Sequence, residues 1–165
     1  MSIQYKIRHA TDNDREYLTD IFNYYIEKSH AAFFDRKVSP VFFERLQDIV
    51  YGNSLYVIGN GNSQVIGFGL LKHYHPSTVF RGVAEVGYFL KPEFTGKGFG
   101  TLMLKRLISD ARKMKIKTLL ASISSRNKES IAFHKKHGFI ECGRFRDIGR
   151  KRGKSFDVVW MQKVI

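Results

Sequence analysis

The run Lys91-Pro92-Glu93-Phe94-Thr95-Gly96-Lys97-Gly98-Phe99-Gly100-Thr101 follows an apolar, strand-like stretch and leads straight into a helical pattern. From Val83 to Leu90 the residues suit a buried strand built around one carboxylate, Glu85, and from Thr101 to about Met114 apolar residues recur at helical spacing. Three glycines at alternate positions between them let backbone N–H groups approach a bound anion without interference from Cβ atoms. The start of the helix adds its partial positive charge. Strand, glycine turn and helix in that order therefore read as a phosphate cradle, and the spacing excludes the two commonest kinds. A Walker loop ends in Gly-Lys-Ser/Thr, whereas the last glycine here is followed by Thr101 and Leu102. A dinucleotide fold carries Gly-x-Gly-x-x-Gly and an acidic residue about 20 residues further on. Here no third glycine falls in register, and Lys115, Ile116 and Lys117 stand near the place of the acid.

The remaining pattern surrounds this unit with alternating short elements. Ile3 to Arg8 predicts a strand, and Thr11, with Asp14 behind it, predicts the cap of a helix carrying Leu18, Ile21, Phe22, Tyr25 and Ile26. A second helix is expected to begin at Ser39-Pro40, with Ser39 as N-cap and Pro40 at the first helical position, and to run towards Tyr51. Strands at Leu55 to Ile58 and Val65 to about Tyr74 flank Asn60-Gly61-Asn62, a hairpin turn signal. After the glycine loop and its helix come a strand at Thr118 to Ile123, a helix from Asn127 to Lys136, and strands near Phe139 to Arg146 and Phe156 to Met161. The order β-α-α-β-β-β-α-β-α-β-β belongs neither to a barrel nor to a doubly wound parallel sheet.

A chain of 165 residues, 43% hydrophobic, can bury a sizeable core and is expected to form one domain over residues 1–165. The first residues lack a signal-peptide core and no apolar run is long, which predicts a cytoplasmic protein without a membrane partner. The lone Cys142 has no partner for an intramolecular disulfide and reads as a buried or half-buried structural thiol. His9, His30, His73, His75 and His137 show no metal-ligand spacing, so no metal is expected. With 28 Lys and Arg against 15 Asp and Glu, the formal charge of +13 favours anionic ligands. The basic clusters, including Arg144 to Lys154, match no nucleic-acid motif, so nucleic acid is not the expected partner.

Several of these signals coincide in one family. Thr95-Gly96-Lys97-Gly98-Phe99-Gly100, the helix Asn127-x-x-Ser130-Ile131-Ala132-Phe133-His134, Gly138-Phe139 after it, and Ala84-Glu85-Val86 together resemble the GNAT superfamily of acetyl-CoA-dependent N-acetyltransferases. Within it, Asn23-Tyr24-Tyr25, Phe33 ahead of Pro40, and the ending Gly153 to Gln162 are similar to the phosphinothricin acetyltransferase group. The loop departs from the superfamily pattern at Thr95, where Arg or Gln is usual.

That resemblance implies an α/β (α+β, mixed sheet) fold, with a central, mostly antiparallel twisted sheet splayed at the acetyl-CoA site and about four flanking helices. Acetyl-CoA would be the cosubstrate. Its pyrophosphate would lie on the amides of Gly96, Lys97, Gly98, Phe99, Gly100 and Thr101 beside Thr95, and its pantetheine amides would pair with the strand edge at Tyr88, Phe89 and Leu90. Asn127 and Ser130 would bond the arm, with helix capping the alternative reading of each. Transfer to an amine needs a base, a donor to the thioester oxygen and a proton for the leaving thiolate. Glu85 is the candidate base and a backbone amide beside Phe89 the candidate oxyanion donor. His134 stands where many members carry a tyrosine acid, and reads either as the proton donor or as a helix residue packed on the acyl arm.

For the acceptor, the resemblance implies a pocket of Phe33, Tyr74, His75, Phe80 and Arg81 around Glu85, with Tyr25 nearby and Arg81 clamping an anion. The implied reaction is acetylation of the α-amino group of a small amino-acid-like molecule of the phosphinothricin or methionine sulfoximine type. His73, His75 and Pro76 depart from the Trp-Arg-rich segment common in that group. Acetylation of a protein N-terminus or lysine, and a non-catalytic basic module binding RNA, are the alternatives. A homodimer is implied only by analogy with the group.

Overall fold

The computed structural model describes residues 4–60 and 64–165. Strand β1 (Tyr5–His9) leads through a short 3-10 turn into helix α1 (Arg15–Lys28), and α2 (Phe42–Ile49) precedes β2 (Val50–Asn60), β3 (Val65–His73) and β4 (Val83–Leu90). Helix α3 (Phe99–Lys113), β5 (Thr118–Ser124), α4 (Lys128–Lys136), β6 (Ile140–Lys151) and β7 (Lys154–Val164) complete the chain. The expected element order is the observed one. Ile3 and the tip of the expected hairpin turn, Gly61-Asn62, lie outside the described residues.

The seven strands form one sheet in the order β1-β2-β3-β4-β5-β7-β6. Every neighbouring pair is antiparallel except β4 and β5, which run parallel. Strand alternation sends Ile58, Leu71, Ala84, Leu119 and Met161 to one face, where they pack with Met103, Leu104 and Leu107 of α3. Val57, Phe68 and Leu70 turn to the other face, beneath Leu18, Phe22 and Phe43 of α1 and α2. Four α-helices thus flank a mixed sheet, as the resemblance implied.

Two boundaries correct the sequence reading. Helix α2 begins at Phe42, not Pro40: the carbonyls of Ser39 and Pro40 accept from Phe42 and Phe43 N–H at 2.9 and 3.1 Å, forming a turn ahead of the helix. It also stops short of Tyr51, because Val50 pairs with Lys72 as the first residue of β2, a role that suits its β-branched side chain. At α1, Thr11 donates its backbone N–H and hydroxyl to Asp14 at 2.8 and 3.1 Å, and a 3-10 turn over Asp12–Asp14 separates this cap from the helix proper.

Helix α3, which carries the glycine loop at its start, is tied to the sheet by a polar cluster. Tyr56 of β2 donates its hydroxyl to Asp110 at 2.6 Å, while Arg106 and Lys113 donate at 2.7 and 3.0 Å. Burial alone would raise the Asp110 carboxyl, but these three donors outweigh it and hold its pKa at about 2. Because the folded value lies below the ordinary 3.8, the stabilisation is complete above that value and is lost as pH falls through about 2. Asp110→Asn is expected to cost about 1–2 kcal/mol at neutral pH by urea denaturation. The deficit relative to the natural protein should vanish in acid; a deficit that is constant with pH would contradict this role.

Candidate functional site

The site begins where the sheet fails to close. Strands β4 and β5 pair at Val83 with Thr118, Ala84 with Leu119 and Glu85 with Leu120, and then part. Lys91 N–H donates to Ile66 of β3, which fixes the phase of β4: Phe89 and Gly87 turn their backbone groups to β3, and Val86, Tyr88 and Leu90 turn theirs into the gap. A cavity of about 740 Å³ fills this gap, lined by Gly87 to Leu90 on one side and Ala121 to Ile123 on the other. It continues past Thr95, Gly96, Gly98, Gly100 and Thr101 and along α4 at Asn127, Ser130 and His134.

The glycine loop shapes the far end. Gly96 and Gly98 have φ of 70° and 87°, in the left-handed region that side chains avoid, and a Cβ on either would meet nothing within 4 Å. Their backbone therefore borders open space. Leu102 N–H is bonded to Gly98, so the N–H groups of Phe99, Gly100 and Thr101 in the first turn of α3 have no intrahelical acceptor and face a prospective anion. Two side chains of the loop turn elsewhere. Lys97 extends over the Phe94 ring at 5.6 Å, and Phe99 packs on Tyr5 with ring centroids 4.7 Å apart; neither lines the cavity. His137 ties the loop to α4, its Nε2 lying 3.0 Å from the Thr101 hydroxyl and its Nδ1 2.8 Å from the Phe133 carbonyl.

Asn127 caps α4, its Oδ1 accepting from Ser130 N–H at 3.2 Å, so the capping reading is realised while the residue also lines the cavity. His134 is buried, with Nδ1 2.7 Å from the Ser130 carbonyl and Nε2 2.5 Å from the Tyr88 hydroxyl. A carbonyl can only accept, so Nδ1 carries the hydrogen and Nε2 accepts from Tyr88. Burial lowers the His134 pKa, with the nearby His137 adding to the effect and the Ser130 carbonyl opposing it. Burial likewise pushes the Tyr88 hydroxyl far above its ordinary value. As held here, the His134 imidazole donates to the Ser130 carbonyl and accepts from the Tyr88 hydroxyl.

Glu85 lies at the last paired position before the gap, 8% exposed. Ala84 and Val86 belong to the α3 face, so Glu85, Gly87 and Phe89 turn to the α1 face, as do Ser122 and Trp160 on β5 and β7. Ser122 donates its hydroxyl to Glu85 Oε1 at 2.5 Å, and Lys72 stands 3.0 Å from Oε2. Ser122 also lines the cavity, so the carboxylate is one hydrogen bond from it. Beyond the cover of α1 this face is walled by aromatic rings. Tyr74 meets Phe80 and Trp160 edge-on, His75 packs on Phe80, and Phe33 stacks on Phe156. Arg81 is exposed, with its carbonyl accepting from Tyr51 and its guanidinium in no ion pair among the described residues. None of Phe33, Tyr74, His75, Phe80 and Arg81 borders the cavity itself.

Sequence reasoning missed Ser122 and Lys72, which reach Glu85 only through strand register, and placed Tyr25 beside the acceptor rather than the cosubstrate; Cys142, expected to be buried or half-buried, is exposed. Tyr25 donates its hydroxyl to the Leu90 carbonyl at 2.5 Å and lines the cavity; burial pushes its pKa up to about 12. A buried tyrosine hydroxyl needs an acceptor, the one signal that could have drawn attention to it. The basic run from Arg144 does not form a continuous stripe: Arg144 pairs with Glu141 and Asp157, and Lys151 turns inward to the Ala32 carbonyl at 2.8 Å.

An open sheet edge beside an anion cradle is what the acetyl-CoA-dependent acyltransferases of this fold require, and comparison with known proteins agrees. The acetyltransferase (GNAT) domain family matches residues 6–140, and the chain belongs to that family. It is an N-acetyltransferase with acetyl-CoA as cosubstrate. The phosphinothricin N-acetyltransferase of Alcaligenes faecalis is 26% identical over 161 residues, 95% of this chain and 81% of that protein. The L-methionine sulfoximine/L-methionine sulfone acetyltransferase of Salmonella typhimurium is 29% identical over 160 residues, 94% of this chain and 92% of that one. Among solved structures, ribosomal-protein-alanine N-acetyltransferase from Brucella melitensis superposes with a TM-score of 0.86 at 32% identity, covering 97% of this chain and 99% of that one. The yncA protein of Salmonella typhimurium, solved with acetyl-CoA, gives 0.87 at 28% identity over 98% and 94%.

The open space at Gly98 and its positive φ give a direct test. Gly98→Val strains the loop and fills the space before the free amides, and is expected to weaken acetyl-CoA binding at least about tenfold by calorimetry. Unchanged affinity would place the pyrophosphate elsewhere.

Proposed function

We propose that the acceptor is a small amino-acid-like molecule of the phosphinothricin or methionine sulfoximine type, acetylated on its α-amino group, with Glu85 as the base. The observation that carries this reading is the position of Glu85: nearly buried, held by Ser122 and Lys72, at the point where β4 and β5 part and one hydrogen bond from the cavity. A buried carboxylate in an apolar strand is costly without such partners, and the two donors compensate its burial beside the place an amine would occupy. The relatives named for phosphinothricin and methionine sulfoximine support the acceptor class.

The cavity residues suit the cosubstrate. The Gly96–Thr101 backbone offers free N–H groups to its pyrophosphate beside Thr95, and Asn127 and Ser130 border its arm. When bound, acetyl-CoA supplies the acetyl thioester. The backbone groups of Val86, Tyr88 and Leu90 offer its amides the partner that a neighbouring strand would, and the N–H beside Phe89 can donate to the thioester oxygen. In this proposal the leaving sulfur receives its proton from the hydrogen-bonded Tyr88–His134 pair or from water. Phe33, Tyr74, His75 and Phe80 form the walls against the acceptor side chain, and Arg81 adds a cation beside Phe80.

A second reading, acetylation of a protein N-terminus, draws on the similarity to a ribosomal-protein-alanine N-acetyltransferase. A homodimer is proposed through β6, the outer strand, on which Ile140, Phe145 and Ile148 are exposed.

Thiol release from acetyl-CoA across amino acids, methionine sulfoximine, phosphinothricin, polyamines and short peptides separates these readings. Release with amino-acid analogues is expected; release with peptides alone would favour the second. Glu85→Gln is expected to lower kcat by about 10²-fold or more with acetyl-CoA affinity kept, and unchanged turnover would remove Glu85 as the base.

A further inference from the structure

We propose that Lys72 reads the acceptor's carboxylate, so that the pair Lys72–Glu85 selects a free amino acid as a zwitterion. This deepens, and rests on, the small-molecule reading above. Lys72 and Glu85 face each other across β3 and β4 in register, on the sheet face opposite α3, with Nζ 3.0 Å from Oε2. The two ends of the pair differ in their surroundings. Glu85 has both oxygens engaged and is nearly buried, while the Lys72 side chain is 38% exposed. Among the described residues its ammonium has no acceptor besides Glu85. It therefore keeps N–H groups for an anion arriving from solvent.

The chemistry of the acceptor follows from placing a charge beside the base. An α-amino acid carries its ammonium and carboxylate on one carbon. Laid against the pair, its ammonium meets Glu85 and its carboxylate meets Lys72, so that four charges alternate in sign around a closed ring. Gly87, the next residue on this face after Glu85, has no side chain to obstruct the approach to the gap, and Trp160, paired with the Ser122 that bonds Glu85, meets Tyr74 edge-on to wall the acceptor's side chain. A polyamine would bring a second ammonium towards Lys72 and be repelled. A peptide N-terminus presents a neutral amide where the carboxylate should be, and loses the attraction. Arg81 has no such geometry: it is exposed and makes no ion pair with Glu85.

The test compares L-methionine sulfone with its α-carboxamide as acceptors, in the natural protein, Lys72→Met and Lys72→Arg. Two readouts are used: kcat/KM, and Kd by calorimetry with CoA bound so that no reaction occurs. The natural protein should prefer the acid at least about tenfold, since a charged hydrogen-bond partner is discriminated on that scale. Lys72→Met should shrink the acid-to-amide ratio about tenfold in both readouts, and Lys72→Arg should retain most of it. Should Lys72→Met fail to fold, Lys72→Gln, which keeps a donor for Glu85 without the charge, reads the same ratio. An unchanged ratio, or an equal loss for acid and amide, would overturn the proposal and leave Lys72 as a support for Glu85 alone. If the natural protein ignores both and acetylates only peptides, the small-molecule reading fails and the Lys72 proposal with it. Turnover of the acid with a ratio indifferent to Lys72 separates the two failures.

Discussion

Two parallel strands that stop pairing after Glu85 are the constraint on which the rest of the site depends. A backbone edge inside a fold must find partners, because an unpaired buried N–H or C=O is costly. On β4, Tyr25 supplies one by donating its hydroxyl to Leu90, while the edge groups of Val86 and Tyr88 face a cavity. An extended ligand with amide groups is the natural way to satisfy them. Glu85 is then placed by register alone, at the last closed rung, and the opening begins one residue beyond its side chain.

The glycine loop and the charged groups complete what the gap begins. Positive φ at Gly96 and Gly98 turns the chain so that the first amides of α3 point outwards, and the Asp110 cluster keeps that helix seated against β2. His137 and His134 brace α4 on the other side, each with Nδ1 directed at a backbone carbonyl one turn back. Both imidazoles are thereby committed to one tautomer. The positive charge set beside Glu85 is that of a single lysine, Lys72, across the β3–β4 rung.

Much of this was legible in the sequence where one stretch of chain carries the whole signal. The bounds of β4, the glycine loop and α4 with its Asn127 cap could be read directly, because local spacing dictates them. The start of α2 could not: Ser39-Pro40 is a good helix opening, and the chain spends it on a turn instead. Ser122 and Lys72 were invisible for a different reason. They lie on other strands, and their approach to Glu85 depends on which residues the sheet sets opposite one another. The state of His134 was equally hidden, since its tautomer follows from the Ser130 carbonyl and the Tyr88 hydroxyl and not from its place in a motif.

In the proposed arrangement the open edge of β4 and the first turn of α3 together hold the cosubstrate. Backbone amide exchange, followed residue by residue by NMR with and without CoA, tests it most directly. Slowed exchange is expected at Val86, Tyr88 and Leu90 and at Phe99, Gly100 and Thr101. Slowing confined to the basic stretch from Arg144 to Lys154, with the β4 edge unchanged, would contradict it.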